Sequence, residues 1–411
     1  MARLGVATLG ARGGAAGAEL YPRERAVQDP SRLGSGWEGG AVLLICTILV
    51  SVGLVMVYSA SSVMAQAQGL APHHYLLRQM SGAVAGLLAL AAAATLDYRR
   101  LRLLAWPILA GTVAMLVLLV VPGSEQIAPE SNGARRWLLI GPVGLQPSEI
   151  AKLALLIWTA ALAVKKQGRL RSLSEGLLPF LLIWTLVGGL ILMQPDLSTA
   201  VLTLLLAGLV AYAGGARPAH FVALGIVALP VLWSQVAKVA YRMERVVAFL
   251  DPRADVVDLG YQLNQSLIAL GSGGIVGRGF GEGQQKFGFL PEPHNDFIIA
   301  MIGEEWGFLG VAGLTVLYLG FALIGYRIAR GAADLFGFLL AVGMTNLVVV
   351  QAFLHMAVNM ALVPPTGLTL PFISYGRSSL IVSLAAAGVL MSGARISDRR
   401  DRALARAREV A

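Results

Sequence analysis

The sequence predicts an all-α integral membrane protein with about ten transmembrane helices and a large extracytoplasmic loop between helices 7 and 8. Three observations predict it. Hydrophobic residues make up 56% of the 411 residues and charged ones only 13%, about half the ~25% of an average soluble chain. Mean hydropathy is +0.71. The apolar residues also gather into long runs whose connections share Lys and Arg unequally.

Residues 1–40, rich in Gly, Ala and Arg with Pro22 and Pro30, read as a disordered cytoplasmic tail without the apolar stretch of a cleavable signal. Spans are expected at about 41–63, 80–96, 103–121, 148–164, 177–193, 197–213, 219–240, 297–325, 335–363 and 378–393. Residues 41–393 then form one polytopic membrane domain, and 394–411 a basic cytoplasmic tail. With the N-terminus inside, 21 of the 32 basic residues fall on the cytoplasmic side, so both termini are placed there. The net charge of +9 therefore reports topology, and no nucleic-acid partner is expected. Cys46 is the only cysteine, which excludes a disulfide framework and a Cys-based zinc site.

Two outward segments remain, about 122–147 and 241–295. The second is too long for a turn and is read as irregular chain carrying function. Signatures of soluble nucleotide-binding and hydrolytic enzymes are absent. The run from Gly271 to Gly283 holds seven glycines in no nucleotide-binding spacing. It is read as closely packed backbone, or more sharply as backbone that admits a phosphate or sugar.

Phe289-Leu-Pro-Glu-Pro-His-Asn-Asp-Phe-Ile298 leads into the eighth span. Asn295 and Asp296 can be helix caps, but Asp296 lies within four residues of Glu292 and His294. A carboxylate beside a helix N-terminus stays ionised and suits a base or metal ligand. Glu304 and Glu305 fall roughly 12 Å further along that helix, where carboxylates need partners or a polar cavity.

In the first outward segment, Arg135, Arg136 and Trp137 are interfacial anchors or a cationic, aromatic-edged patch for an anionic lipid-linked ligand. Gln146-Pro-Ser-Glu149 signals a helix start, with Ser148 as a candidate cap, and places Lys152 one turn into the membrane. Lys152 is read either as snorkelling outwards or as part of that patch. Gln194-Pro-Asp196 reads as a tight turn, and the Pro/Gly-broken stretch 364–379 as irregular chain lining the interior.

Taken in order, Ala134-Arg-Arg-Trp137, Gln146–Lys152, Gln194-Pro-Asp196, Gly260–Gly274, Leu290–Ile298, Gly303-Glu-Glu305 and Leu370–Leu380 resemble the SEDS proteins (shape, elongation, division and sporulation), which polymerise peptidoglycan. The Gly260 and Gly367 stretches are closer to the cell-division member, FtsW, than to the elongation member, RodA. Asn295 stands where Thr is usual, and Arg377 where a second glycine is usual.

The resemblance implies a glycosyltransferase in the cytoplasmic membrane, at the division septum, that joins lipid II into β-1,4-linked strands with inversion. It maps the family's essential acidic residue onto Asp296, as base or as ligand of a divalent cation such as Mg2+ or Mn2+. Arg135, Arg136, Trp137, Lys152, Glu292 and His294 become candidate substrate contacts. It also implies a class B penicillin-binding protein transpeptidase and other division proteins as partners, within membrane lipid. The alternatives are a lipid II flippase gated by Glu304 and Glu305, an elongation-type polymerase, and a structural scaffold.

Overall fold

The computed structural model describes residues 36–130, 133–141, 143–250 and 259–410. Helices α1 (Trp37–Ala67), α2 (His74–Thr95) and α3 (Arg99–Val120) lead to a small hairpin of β1 (Leu138–Ile140) and β2 (Val143–Leu145). Next come α4 (Pro147–Lys165), α5 (Leu178–Leu192), α6 (Leu197–Ala213) and α7 (Pro218–Ala237). Helices α8 (Ala240–Leu250) and α9 (Leu259–Ser272) precede α10 (Ile298–Arg330), α11 (Leu335–Asn359) and α12 (Arg377–Val410). Among the described residues nine helices are long and apolar enough to cross a membrane, and α6 is a shorter apolar tenth.

Three details depart from the sequence reading. Helix α1 begins at Trp37, inside the segment assigned to the tail, most of which lies outside the described residues. The segment 241–295 is not wholly irregular, because α8 and α9 lie in it. The basic C-terminal residues are no separate tail but continue α12 to Val410.

Small residues let the helices close on one another, the usual basis of helix packing in lipid. A side-chain carbon at Gly82 would sit 3.0 Å from Arg377 Cγ, and one at Gly86 would meet Leu384. Gly388 on α12 leaves no room for one against the Leu90 carbonyl. Arg377, the departure noted above, is thus the first residue of α12 and lies over Gly82. The core lies between α4, α6, α10, α11 and α12, with Leu156, Val210, Met344 and Leu390 among its buried residues.

Helix α7 stands apart. None of its residues is buried. Phe221, near its start, packs on Gly208 and Tyr212 of α6, while Ile226, Leu229, Val231 and Trp233 are exposed.

Residues 361–376 return to the bundle as irregular chain whose polar groups are taken up by the helices. Tyr318 donates to the Pro371 carbonyl (2.5 Å), and Gln79 Nε2 to Ser374 O (3.0 Å). Gly376 N donates to Gln79 Oε1 (3.1 Å). Backbone without a regular ladder is tolerated beside the bilayer only when it is satisfied in this way.

Candidate active site at the outer end of the bundle

Asp296 directly precedes α10 but does not cap it. The cap position is Phe297, and no side chain of the segment bonds the first turn. Asn359, at the end of α11, does so: its Oδ1 accepts from Ala300 N (3.2 Å) and its Nδ2 donates to the Asp296 carbonyl (3.1 Å). The Asp296 carboxylate is left over. The residue is half-buried, and Oδ1 is shielded from solvent without a hydrogen-bond partner. Oδ2 faces Gly367, where a side-chain carbon would lie 3.7 Å away. Burial, and then the charge of Glu292, push the carboxyl up to about 6, while Arg245 and Arg136 act in the opposite sense.

Those two arginines reach the site from different elements. Arg136 Nε donates to Gln194 O (3.1 Å) and its Nη2 to Pro195 O (2.7 Å). Gln194-Pro-Asp196 is indeed the turn between α5 and α6, with Asp196 Oδ1 accepting from Thr199 N to cap α6 (3.1 Å). Arg245, on α8, donates from Nη1 to Pro365 O (3.2 Å). The sequence reading missed Arg245 because it took this stretch as irregular. The available signal was the strong amphipathicity of 240–250, which spaces its polar residues along one helical face.

The other candidates separate. Arg135 pairs with exposed Glu125 (2.9 Å). Trp137 is partly buried over Gly144 of the hairpin. Lys152 does not snorkel: it is 1% exposed, paired with Glu149 (2.8 Å) and donating to Gln351 (2.7 Å). Ser148 does not cap α4; its hydroxyl is buried without a partner, and the cap position is Gln146. Glu292 is exposed, with φ of 46°, and near enough to Asp296 to raise its carboxyl. The His294 ring is buried between Tyr75 (4.7 Å) and Tyr375 (5.3 Å), and its backbone carbonyl accepts from Tyr375 N (2.9 Å). Burial lowers its imidazole to about 4, so the ring is neutral at pH 7, and its Nδ1 is buried without a hydrogen-bond partner.

The profile of the cell cycle protein family of FtsW, RodA and SpoVE matches residues 40–399. The chain belongs to the FtsW/RodA/SpoVE family. A probable peptidoglycan glycosyltransferase FtsW of Geobacter sulfurreducens is 42% identical over 351 residues, covering 85% of this chain and 93% of the relative. Stage V sporulation protein E of Bacillus subtilis is 37% identical over 356 residues, covering 87% and 96%. Among solved structures, a chain of a peptidoglycan synthase complex that coordinates polymerization and crosslinking superposes with a TM-score of 0.69 at 31% identity, covering 87% and 97%. Rod shape determining protein RodA of Thermus thermophilus gives 0.62 at 30% identity, covering 86% and 95%.

In this FtsW/RodA/SpoVE member the glycine-rich run cradles the protein's own carboxylates. Helix α10 breaks at Gly307 (φ 68°, ψ −164°). There Phe308 N and Leu309 N bond the carbonyls of Gly274 (2.9 Å) and Ile275 (3.0 Å). The Glu304 and Glu305 carbonyls accept instead from Arg278 N and Gly279 N (3.0 Å each). Side-chain carbons at Gly273 or Gly277 would collide with the carbonyls of Gly303 and Glu305. The Glu304 carboxylate accepts from Gln284 N (2.8 Å) and Gln285 N (3.2 Å), with Arg278 at 3.6 Å. Glu305 accepts from Ser59 Oγ (2.6 Å) and Gly281 N (3.1 Å), with Lys286 at 3.5 Å. Both acids are thus structural, held by backbone amides and cations of the loop. The run 271–283 is closely packed backbone, and the amides of Arg278, Gly279 and Gly281 are taken up by Glu304 and Glu305.

Among the described residues no three His, Cys, Asp or Glu side chains come together where they could hold a metal. The protein offers Asp296, with a shielded and unpartnered oxygen, and Glu292 beside it. Two carboxylates suit a cation that takes its remaining ligands from water and substrate phosphate.

Proposed function

We propose that this chain polymerises lipid II into glycan strands at the outer face of the cytoplasmic membrane, as a division-type peptidoglycan glycosyltransferase with both termini cytoplasmic. One observation carries the reading: the Asp296 carboxylate is relieved of capping by Asn359, and Arg136 and Arg245 act on its charge. A carboxyl near 6 is still mostly ionised at neutral pH and basic enough to accept a proton from a sugar hydroxyl.

In the reaction the acceptor GlcNAc 4-hydroxyl attacks C1 of the donor MurNAc. The C1–O bond to the lipid pyrophosphate breaks, and inversion leaves a β-1,4 bond. Asp296 takes the hydroxyl proton. Arg136 and Arg245 stabilise the negative charge that grows on the departing pyrophosphate. A Mg2+- or Mn2+-like cation would be held by Asp296 with Glu292 and would neutralise the same charge. The lipid tails would enter laterally from the bilayer beside α7, none of whose residues is buried.

On this reading a class B penicillin-binding protein crosslinks the new strand at the division site; the neighbouring synthase complex, which coordinates polymerization and crosslinking, supports a crosslinking partner. The decisive experiment reconstitutes the chain with that partner, its transpeptidase site blocked, and labelled lipid II. Glycan chains lost in Asp296→Asn are expected; leaflet exchange without chains would instead establish a flippase.

A further inference from the structure

We propose that the edge of the outer loop formed by Ile275, Val276, Phe280, Phe287 and Phe289 is inserted in the outer leaflet of the bilayer. These five side chains are 52% to 73% exposed. An apolar edge of that extent calls for a cover.

Its height follows from α10. The helix is broken at Gly307, and the part that follows, Phe308 to Arg330, is roughly 35 Å long, against a hydrocarbon thickness of ~30 Å. Its last turn carries Arg327 and Arg330. Counting back from there the ~20 residues needed to cross reaches the break at Gly307. Exposure marks the same boundary. Ile298–Glu305 are all buried in protein, whereas Phe308 and Leu309 are 66% and 58% exposed. They open the lipid-facing stripe continued by Val316, Leu319 and Leu323.

The loop edge is bonded to this level. Gly274 and Ile275 take the amides of Phe308 and Leu309. Gly281, next to Phe280, and Gln285, two residues before Phe287, bond the carboxylates of Glu305 and Glu304, less than a turn higher on α10. The five side chains therefore fall in a band of about two helical turns at the hydrocarbon boundary, continuous with the lipid-facing surface of α10. Of the segment's cations, Lys286 is buried against Glu305, while Arg278 is exposed beside Glu304 (3.6 Å) and, with exposed Glu282, lies at the headgroup level of this edge. Continuity with the bilayer face selects lipid as the occupant and not a second protein. The inference does not depend on the glycan chemistry.

The test uses the full chain in phosphatidylcholine–phosphatidylglycerol vesicles with Ile275→Cys, Val276→Cys or Phe280→Cys carrying a nitroxide. Cys46 is 1% exposed, so the unsubstituted chain serves as the labelling blank. Oxygen collisions are expected to exceed those with a water-soluble nickel chelate at all three positions, as at Leu309→Cys. The order should reverse at Glu125→Cys on the other outer segment. Dominance of the chelate at 275, 276 and 280 overturns the proposal by placing the edge in water. Exclusion of both reagents overturns it by showing a protein cover.

Discussion

Asn359 holds Asp296 and the first turn of α10 in one grip, accepting from Ala300 N and donating to the Asp296 carbonyl. A single amide on α11 thus starts α10 and fixes the residue before it, which leaves the Asp296 carboxylate free for chemistry.

Asp296→Asn is expected to lower chain formation from lipid II by ~100-fold or more, the scale of a lost acid–base group. The fold should survive, because Asn359 and not Asp296 caps the helix. Thermal melting no lower than wild type and unchanged partner binding, beside lost polymerisation, are the expected pair of results. Near-normal polymerisation would remove Asp296 from the mechanism.

The same carboxyl sets a pH dependence. It is pushed up to about 6 in the folded protein, so polymerisation should rise with pH through that value and level off above it. Arg245→Gln removes a cation that favours the ionised form and should move the rise to higher pH. The stability sign is opposite to the activity sign. A carboxyl raised on folding favours the native state at low pH, and this contribution is lost as pH rises through about 6. Asp296→Asn should therefore melt higher than wild type at pH 8 and lose that advantage near pH 4.

Arg245→Ala and Arg136→Ala should each cut polymerisation by about 100-fold if they meet the departing pyrophosphate, the usual scale for one donor to a developing charge. Arg135→Ala, whose partner is Glu125, should stay near wild type. Equal losses in all three would point to general surface charge instead.

Asn359→Ala should lower stability by about 1 kcal/mol, as loss of a helix cap does, and reduce activity as well. Chemical denaturation and chain formation measured on the same preparation would check both.

Glu305→Gln leaves Lys286 buried without its ion-pair partner. Breaking a buried pair from one side costs about 3 kcal/mol, so this variant should melt early, whereas Glu125→Gln on the surface should not. An unshifted melt for Glu305→Gln would mean that Lys286 finds another acceptor.

The spans were legible because apolar length and the placement of Arg and Lys survive without knowledge of neighbours. The importance of Asp296 was legible from its company, but its freedom was not. That depends on Asn359, 63 residues away, and no local pattern announces a cap delivered from another helix. Lys152 misled for a similar reason. Near a helix start it looks like a snorkelling or ligand-binding cation, and only the fold sets Gln351 and Glu149 against it. His294 shares a short stretch with Asp296, yet its ring is claimed by Tyr75 and Tyr375. Arg245 was hidden because a short amphipathic helix inside a polar segment carries little weight beside ten strong hydrophobic runs.

The exchange at Gly307 is two for one: the break makes four bonds to the loop where a continuous helix would make two. Two carbonyls and two amides that α10 would have joined to each other are joined to the loop instead. If the loop withdrew and Gly307 returned to helical angles, Phe308 N and Leu309 N would meet the Glu304 and Glu305 carbonyls, and the helix would lose no bond. The loop would lose its partners for Gly274 O, Ile275 O, Arg278 N and Gly279 N, so the backbone itself holds the break. The two glutamates, Ser59, Arg278 and Lys286 add a side-chain latch to that joint. A change of charge there would loosen the longest outer segment from α10 at the point where the helix is broken.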